Sequence, residues 1–306
     1  MAEKPFGLLE LGSNSLKLYL VELAGNKKFS VKTQKFPWRV GYHFFARGHL
    51  GEESIQELIA TIRGVEAVSG GVPLRSMLAV ATGVFRELPD IAGLAVRVQN
   101  EAGVRVRVIS GEDEARLMAK GFPVDRRGSH LLCDVGGATT EWAWLVDGAD
   151  RGWGSLPLGA IRNAYKLRQL KRDARIYLRE SQHFCDAAIS TLPLDCPTQV
   201  MGTGGTAKAA ADISEKNLLP ISELREMIDR TIAEGPPARL RPERQAVFLP
   251  GLVILERLCT RAGSEALEHA QTSVRDGMAQ RLVQVLTSHR REDLHSTLLL
   301  HRKKSR

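Results

Sequence analysis

With 306 residues, 43% hydrophobic and 25% charged, the chain has the composition of an ordinary globular protein, long enough for two domains with a core each. Its apolar runs fall short of the roughly 18 residues that cross a bilayer, and Met1-Ala2-Glu3-Lys4-Pro5-Phe6 leads straight into a strand pattern, so neither a membrane partner nor a secretory leader is expected. The formal net charge of +8 favours a polyanion: nucleic acid, an acidic membrane surface or a polyphosphate. Much of that charge gathers at Arg162, Lys166, Arg168, Lys171, Arg172, Arg175 and Arg179 and in the tail His301 to Arg306, where a solvated surface explains it equally well. Cys133, Cys185, Cys196 and Cys259 form no CxxC pair and no metal-ligand spacing, and read as reduced thiols of a cytoplasmic protein.

In chain order the elements begin with an apolar strand ending Leu9-Glu10-Leu11, the turn Gly12-Ser13-Asn14-Ser15, and a second strand, Leu16 to Val21. A weaker strand pattern covers Lys28 to Val40. A helix over Gly51 to Val68 follows from the stripe Ile55, Leu58, Ile59, Ile62, Val65. Ser76 to Thr82 reads as a buried strand, and Ile91 to Ala102 as a helix ended by Gly103. Val104 to Ile109 alternates as a strand, after which Ser110 caps a helix through Met118. Phe122 to Ser129 is polar and turn-rich, a candidate crossover between domains 1–124 and 125–306. Next comes a second hairpin, Leu131-Leu132-Cys133-Asp134-Val135 turning through Gly136-Gly137-Ala138-Thr139 into Thr140 to Val146, then a strand near Arg151 to Leu156. After further helices, Thr198 to Met201 forms a strand that opens a glycine turn, Gly202-Thr203-Gly204-Gly205-Thr206, and a helix from Ala207 to Asp212. Helices complete the chain around a break at Gly235-Pro236-Pro237. Alternation of β and α elements argues for an α/β protein.

The chemistry concentrates in three turns that follow apolar strands, where open α/β sheets bind ligands. Glycine and small hydroxyl residues there aim backbone N–H groups into a concavity suited to phosphate, and the adjacent carboxylates can hold a divalent cation. Any one such turn is also explained as a tight hairpin. The three acids at Glu112, Asp113 and Glu114 equally suit a helix N-terminus, and Arg86 could simply pair with Glu87 on the surface. Trp142 and Trp144 read as core or interface rather than a base-stacking platform, which disfavours a nucleic-acid partner.

The turn arrangement resembles the actin, sugar kinase and Hsp70 fold. It implies two actin-like (ribonuclease H-like, ASKHA) domains forming a clamp around an interdomain cleft. Further segments narrow the match: Glu10 to Val21, Ala81-Thr82-Gly83-Val84-Phe85-Arg86, Val108 to Leu117, Asp134 to Glu141, Ser155 to Arg162, Gly202 to Thr206, and Phe248-Leu249-Pro250-Gly251. Over nearly the whole chain and in order, these resemble the exopolyphosphatase / guanosine pentaphosphate phosphohydrolase family, in its short two-domain form. The resemblance implies Glu114 as general base and Asp134 and Glu141 as metal- and water-positioning acids, with Glu10 as a further metal ligand. It implies phosphate contacts from Gly12, Ser13, Asn14, Ser15, Arg86, Gly136, Gly137, Ala138, Thr139, Gly204 and Gly205, and Mg²⁺ or Mn²⁺ as cofactor.

The expected activity is release of terminal orthophosphate from inorganic polyphosphate. Alternatives are 5′-phosphate removal from guanosine pentaphosphate, or a non-hydrolysing sensor of polyphosphate or guanosine tetra- and pentaphosphate. Four positions depart from the family pattern: Glu10 stands for aspartate, Ala138 for glycine, Gly83 for serine and Ala246 for an acid. A homodimer is expected by family analogy only; Leu282, Val283, Val285 and Leu286 could serve it or pack internally.

Overall fold

A computed structural model of the chain describes residues 5–24, 28–122, 126–170, 173–270 and 275–280. Pro123, Val124 and Asp125 of the expected crossover lie outside these residues. So do Lys171, Arg172, the apolar set Leu282 to Leu286, and the basic tail. The chain divides into two compact units, Met1–Leu117 with Val274–Arg306, and Met118–Ser273.

The first unit is built on β1 (Phe6–Leu11), β2 (Ser15–Ala24), β3 (Lys28–Pro37), α1 (Val40–Arg47), α2 (Glu52–Gly64), β4 (Leu78–Ala81), α3 (Ile91–Ala102), β5 (Val106–Val108) and α4 (Gly111–Lys120). Its sheet runs β3-β2-β1-β4-β5, an antiparallel meander of three strands extended by two parallel ones. Leu9, Leu11, Leu16 and Leu18 pair across β1 and β2 and are fully or almost fully buried. The outer strand β3 exposes Lys32, Thr33, Gln34 and Lys35, charge and polarity that keep an open edge from pairing further. The helix expected over Gly51 to Val68 ends at Gly64 and tightens into a 3₁₀ turn over Val65–Val68. α3 has the expected bounds: Asp90 accepts from the Gly93 N–H at its start, and left-handed Gly103 closes it.

The second unit contains β6 (Ser129–Val135), β7 (Thr140–Val146), β8 (Ala149–Leu156), α5 (Ala160–Lys166), α6 (Ala174–Ile189), β9 (Gln199–Thr203), α7 (Gly204–Ser214), β10 (Leu218–Pro220), α8 (Ile221–Glu234), α9 (Pro242–Ala262) and β11 (Ala266–His269). The order β10-β11-β9-β6-β7-β8 repeats the plan of the first sheet: β6, β7 and β8 form the meander, and β9 and β11 add in parallel. Two sheets of this order carry the actin-like plan expected from the sequence. In the second, β10 and β11 replace what the pattern suggested was helix. The Gly204-Gly205 segment is the first turn of α7 rather than a free loop.

The core of this unit centres on α9, which packs on α5, α6, α7 and α8. Leu252, Val253, Ile254 and Leu255 are consecutive and completely buried, so this helix has no solvent face over that stretch. At roughly 1.5–3 kcal/mol for each side chain, such burial is the main support of the unit. Pro250 lies inside α9 and cannot donate to the carbonyl of Ala246, but Ala246 is exposed and water can satisfy it.

All four cysteines are free, and only Cys196 is exposed. Burial pushes the Cys185 and Cys259 thiols up to about 12 and Cys133 well above the ordinary range. At pH 8, titration with a thiol-specific disulfide reagent is expected to label Cys196 rapidly and the other three only in denaturant. Rapid native labelling of all four would contradict this packing.

Candidate functional site

In the first unit β1 runs into Gly12-Ser13-Asn14 and returns as β2. The Gly12 N–H closes the turn on the Ser15 carbonyl at 3.1 Å. Two carbonyls are drawn into the protein: Gly12 accepts from Trp38 Nε1 at 2.7 Å, and Ser13 accepts from the Gly41 N–H at 2.8 Å. In a trans peptide the C=O and the following N–H point in opposite directions, so the N–H groups of Ser13 and Asn14 face away from these anchors. Ser13 Oγ also accepts from the Val84 N–H at 3.1 Å, which ties the turn to the 3₁₀ segment Gly83–Arg86.

The turn in the second unit is built alike. Gly136 N–H bonds to the Thr139 carbonyl at 2.9 Å. The Gly136 and Gly137 carbonyls accept from the first N–H groups of α5, those of Ala160, Ile161 and Arg162, and Arg162 Nε donates to the Ala138 carbonyl at 2.8 Å. The N–H groups of Gly137, Ala138 and Thr139 are therefore turned to the opposite side. This anchoring requires Gly159, because a Cβ there would lie 2.4 Å from the Ala138 carbonyl carbon. Ala138 is completely buried and has no left-handed backbone, so its methyl lies on the protein side of the turn and the expected third glycine is not needed.

β4 and β5 are parallel neighbours, and their carboxyl ends deliver the next pair. Arg86 ends the 3₁₀ segment after β4; Glu114 lies in the first turn of α4 after β5. Arg86 Nη1 donates to Glu114 Oε2 at 2.7 Å, with side chains only 17% and 9% exposed. The three adjacent acids thus separate. Glu112 is exposed, Asp113 engages the Ser110 cap through Oδ2 and its N–H, and Glu114 alone is buried against the guanidinium.

Glu10 meets a different environment. Its Oε1 accepts from Lys17 Nζ at 2.6 Å and its Oε2 from the Tyr19 hydroxyl. Burial alone would raise the Glu10 carboxyl. The charge and hydrogen bond of Lys17, the Tyr19 hydroxyl and the charge of Lys35 outweigh it and hold the group below the usual carboxylate range. Both oxygens carry donors, one of them an ammonium. The Glu10 environment does not fit a metal ion.

The second unit's acids are arranged differently. Asp134 and Glu141 are direct partners across β6 and β7, so both carboxylates leave the same face of the sheet, flanked in register by Thr203 and Ser155. Glu141 is 3% exposed, and its Oε1 accepts from Ser155 Oγ at 2.8 Å. Among the described residues no group of three or more His, Cys, Asp or Glu side chains gathers as a metal cage. A pair of carboxylates completed by water and phosphate oxygens is what Mg²⁺ commonly uses.

α7 begins directly against this pair. A Cβ on Gly204, at φ +78°, would fall 2.2 Å from Asp134 Oδ1, and one on Gly205 would fall 1.9 Å from the Arg244 guanidinium. Consecutive glycines thus admit a carboxylate and a cation side by side at the helix start. Arg244 and Lys17 received no role from sequence reasoning. Lys17 stands opposite Glu10 in the register of β1 and β2, which alternation along a single strand does not fix.

The model of the Ppx/GppA phosphatase family matches residues 26–286. Exopolyphosphatase 1 of Mycobacterium leprae is 25% identical, over 90% of this chain and 88% of its own length. Among solved structures, the Ppx/GppA family member of Aquifex aeolicus is 20% identical with TM-score 0.74, covering 93% of this chain and 99% of its own. An exopolyphosphatase from Cytophaga hutchinsonii is 18% identical with TM-score 0.75, covering 92% and 98%.

Glu10 also fixes a pH dependence. A depressed carboxyl contributes stability that is present above its unfolded value, about 4.3, and is lost as pH falls through the lower folded value. Wild type is expected to melt higher than Glu10→Gln at pH 7, with the gap closing in acid below pH about 4; thermal melts across pH 2–7 check it. A gap that persists unchanged at pH 2 would contradict the assignment.

Proposed function

Because the chain belongs to the Ppx/GppA phosphatase family, we propose that it is an exopolyphosphatase, releasing terminal orthophosphate from inorganic polyphosphate by in-line attack of water. The observation that carries this reading is the buried Arg86–Glu114 pair at the carboxyl ends of β4 and β5. It joins a planar fork matched to phosphate oxygens to a carboxylate able to take a proton from water.

In this reading the turn N–H groups of Ser13, Asn14, Gly137, Ala138 and Thr139 receive phosphate oxygens, and Arg86 orients the terminal phosphoryl group. Glu114 accepts the proton as the water oxygen bonds to phosphorus. The bond from phosphorus to the bridging oxygen breaks, leaving orthophosphate and a chain shorter by one phosphate. The transition state is loose, so positioning and charge do most of the catalytic work. Asp134 and Glu141 would hold Mg²⁺ or Mn²⁺, which when bound supplies positive charge against the phosphate oxygens. The net charge of +8 favours a long polyanion over a nucleotide. The reading takes the protein as cytoplasmic, and a homodimer rests on family analogy alone. The non-hydrolysing sensor is the second reading, supported by the engagement of Glu10 with Lys17 in place of a metal.

Phosphate release from long-chain polyphosphate with Mg²⁺ tests the proposal. Glu114→Gln is expected to lower kcat by about 100-fold or more while binding persists and circular dichroism shows a folded chain. Undiminished turnover in the variant would refute the mechanism. Preferential cleavage of guanosine pentaphosphate would favour the nucleotide hydrolase, and binding without release by wild type would favour the sensor.

Affinity for long chains is expected to drop steeply between 50 and 200 mM salt, by about 10³-fold if six or more phosphates are neutralised. Tripolyphosphate should lose far less. Equal salt dependence for both ligands, measured by competition binding, would count against contact with successive phosphates.

A further inference from the structure

The carbonyls behind the two turns are held by different kinds of donor. In the second unit Gly136 and Gly137 accept from backbone N–H groups, those of Ala160, Ile161 and Arg162. In the first, Ser13 accepts from the backbone of Gly41 in the first turn of α1, but Gly12 accepts from a side chain, the Trp38 indole, at 2.7 Å. Trp38 lies between β3, which ends at Pro37, and α1, which starts at Val40. It is 4% exposed, and a buried indole needs an acceptor for its N–H. The same ring packs on Phe85, 5.9 Å between centroids and tilted by 51°. Phe85 is completely enclosed and precedes Arg86 in the 3₁₀ segment whose Val84 N–H donates to Ser13 Oγ. One side chain thus supports both the turn and the segment that ends in Arg86.

We propose that Trp38 is a positioning residue for the anionic oxygens of a condensed phosphate: its indole N–H holds the Gly12–Ser13 peptide plane so that the Ser13 N–H points to the ligand. Turning that plane over would rotate ψ of Gly12 and φ of Ser13. Glycine resists such a rotation little, and the bond from Trp38 opposes it. Among the described residues no acceptor meets the N–H of Ser13 or of Asn14, as expected of donors kept for a ligand. Without the indole N–H a buried carbonyl loses its donor, and the inverted plane would aim the Gly12 oxygen at the phosphate instead. An oxygen there repels the anion that the N–H attracts, so the loss falls on affinity. Trp38 itself touches no ligand; it acts through the backbone of the turn. The second turn is not exposed to this loss, because its donors are backbone groups that an ordinary side-chain replacement leaves in place.

The inference rests on the proposed function for its class of ligand, so its test reads binding rather than turnover. On the whole protein, tripolyphosphate binding is measured by calorimetry without divalent ions, and the Ser13 amide is followed by ¹H–¹⁵N resonance. In wild type that signal is expected to move as the ligand binds. Trp38→Phe keeps a ring against Phe85 but lacks the N–H. It is expected to weaken tripolyphosphate about ten-fold or more and to lose the Ser13 response. Replacing Trp38 by benzothienylalanine, an isostere with sulfur in place of the N–H, should do the same, and it decides the matter if Trp38→Phe does not fold. Val98→Ala, which truncates a buried residue of α3, should lower the melting temperature and leave Kd within two-fold.

The proposal is overturned if either replacement of Trp38 binds tripolyphosphate as wild type does, or if the Ser13 amide of wild type ignores the bound ligand. It is also overturned if Val98→Ala weakens binding as much as Trp38→Phe. Trp38-dependent binding with no orthophosphate released by wild type would remove the hydrolase reading and leave the role of Trp38 standing. Release that requires Glu114, with binding indifferent to Trp38, would do the reverse.

Discussion

The rest of the chemistry depends on peptide planes held in one orientation. Each turn has its carbonyls drawn into the protein by donors from elsewhere in its unit: Trp38 and Gly41 for the first, Ala160, Ile161 and Arg162 for the second. Planarity and the trans peptide then leave the intervening N–H groups no choice of direction. No side chain of the turn has to make the concavity; it follows from what anchors its back. This explains why Ser155 to Arg162 forms part of the resemblance although none of its residues was assigned a phosphate. Gly159 and the start of α5 are the support on which the second turn rests.

Buried charge sets a second constraint. The Arg86–Glu114 pair gives up most of its hydration, and breaking such a pair by removing one partner costs about 3–5 kcal/mol. Replacing both by apolar residues could be neutral for stability, so the pair is poorly explained as structural support alone. Its position where two parallel strands end, in the region of open sheets that meets ligands, gives a chemical reason for retaining it. The same logic separates Glu114 from Glu112 and Asp113, whose places at the helix start are satisfied by solvent and by the Ser110 cap.

The hairpins, α3 with its cap, and the helix started by Ser110 were legible because local pattern and tertiary role agree there. Hydrophobic alternation marks a strand, and a Ser or Gly at the right offset marks a helix end. α1 was missed because Val40 to Arg47 follows β3 almost directly, and its apolar residues read as a continuation of the strand pattern. β10 and β11 have three and four residues, too few for periodicity to register, and are defined by pairing with each other and with β9. Gly204 and Gly205 read as a loop since glycine disfavours helix interiors. The structure uses them at a helix start, where Asp134 and Arg244 fill the space a side chain would need. The acids of the site were readable as residues, but the partners that decide their behaviour were not. Lys17 at Glu10 and Ser155 at Glu141 become neighbours only through register.

Register is also what turns a repeated motif into two different devices. A strand, an acid, a four-residue turn and a returning strand occur twice with the same offsets, so each turn closes on the same backbone hydrogen bond. What differs is the residue seven positions after the acid, which the antiparallel pairing brings opposite it. A lysine there pairs with the acid at 2.6 Å. A glutamate there sets two carboxylates opposite each other, with Ser155 donating to Glu141. The length of the Glu10 side chain suits this geometry, since it reaches Lys17 and Tyr19 at once. On this argument Glu10 belongs to one arrangement with Lys17 and Tyr19, whose donors hold both of its carboxylate oxygens.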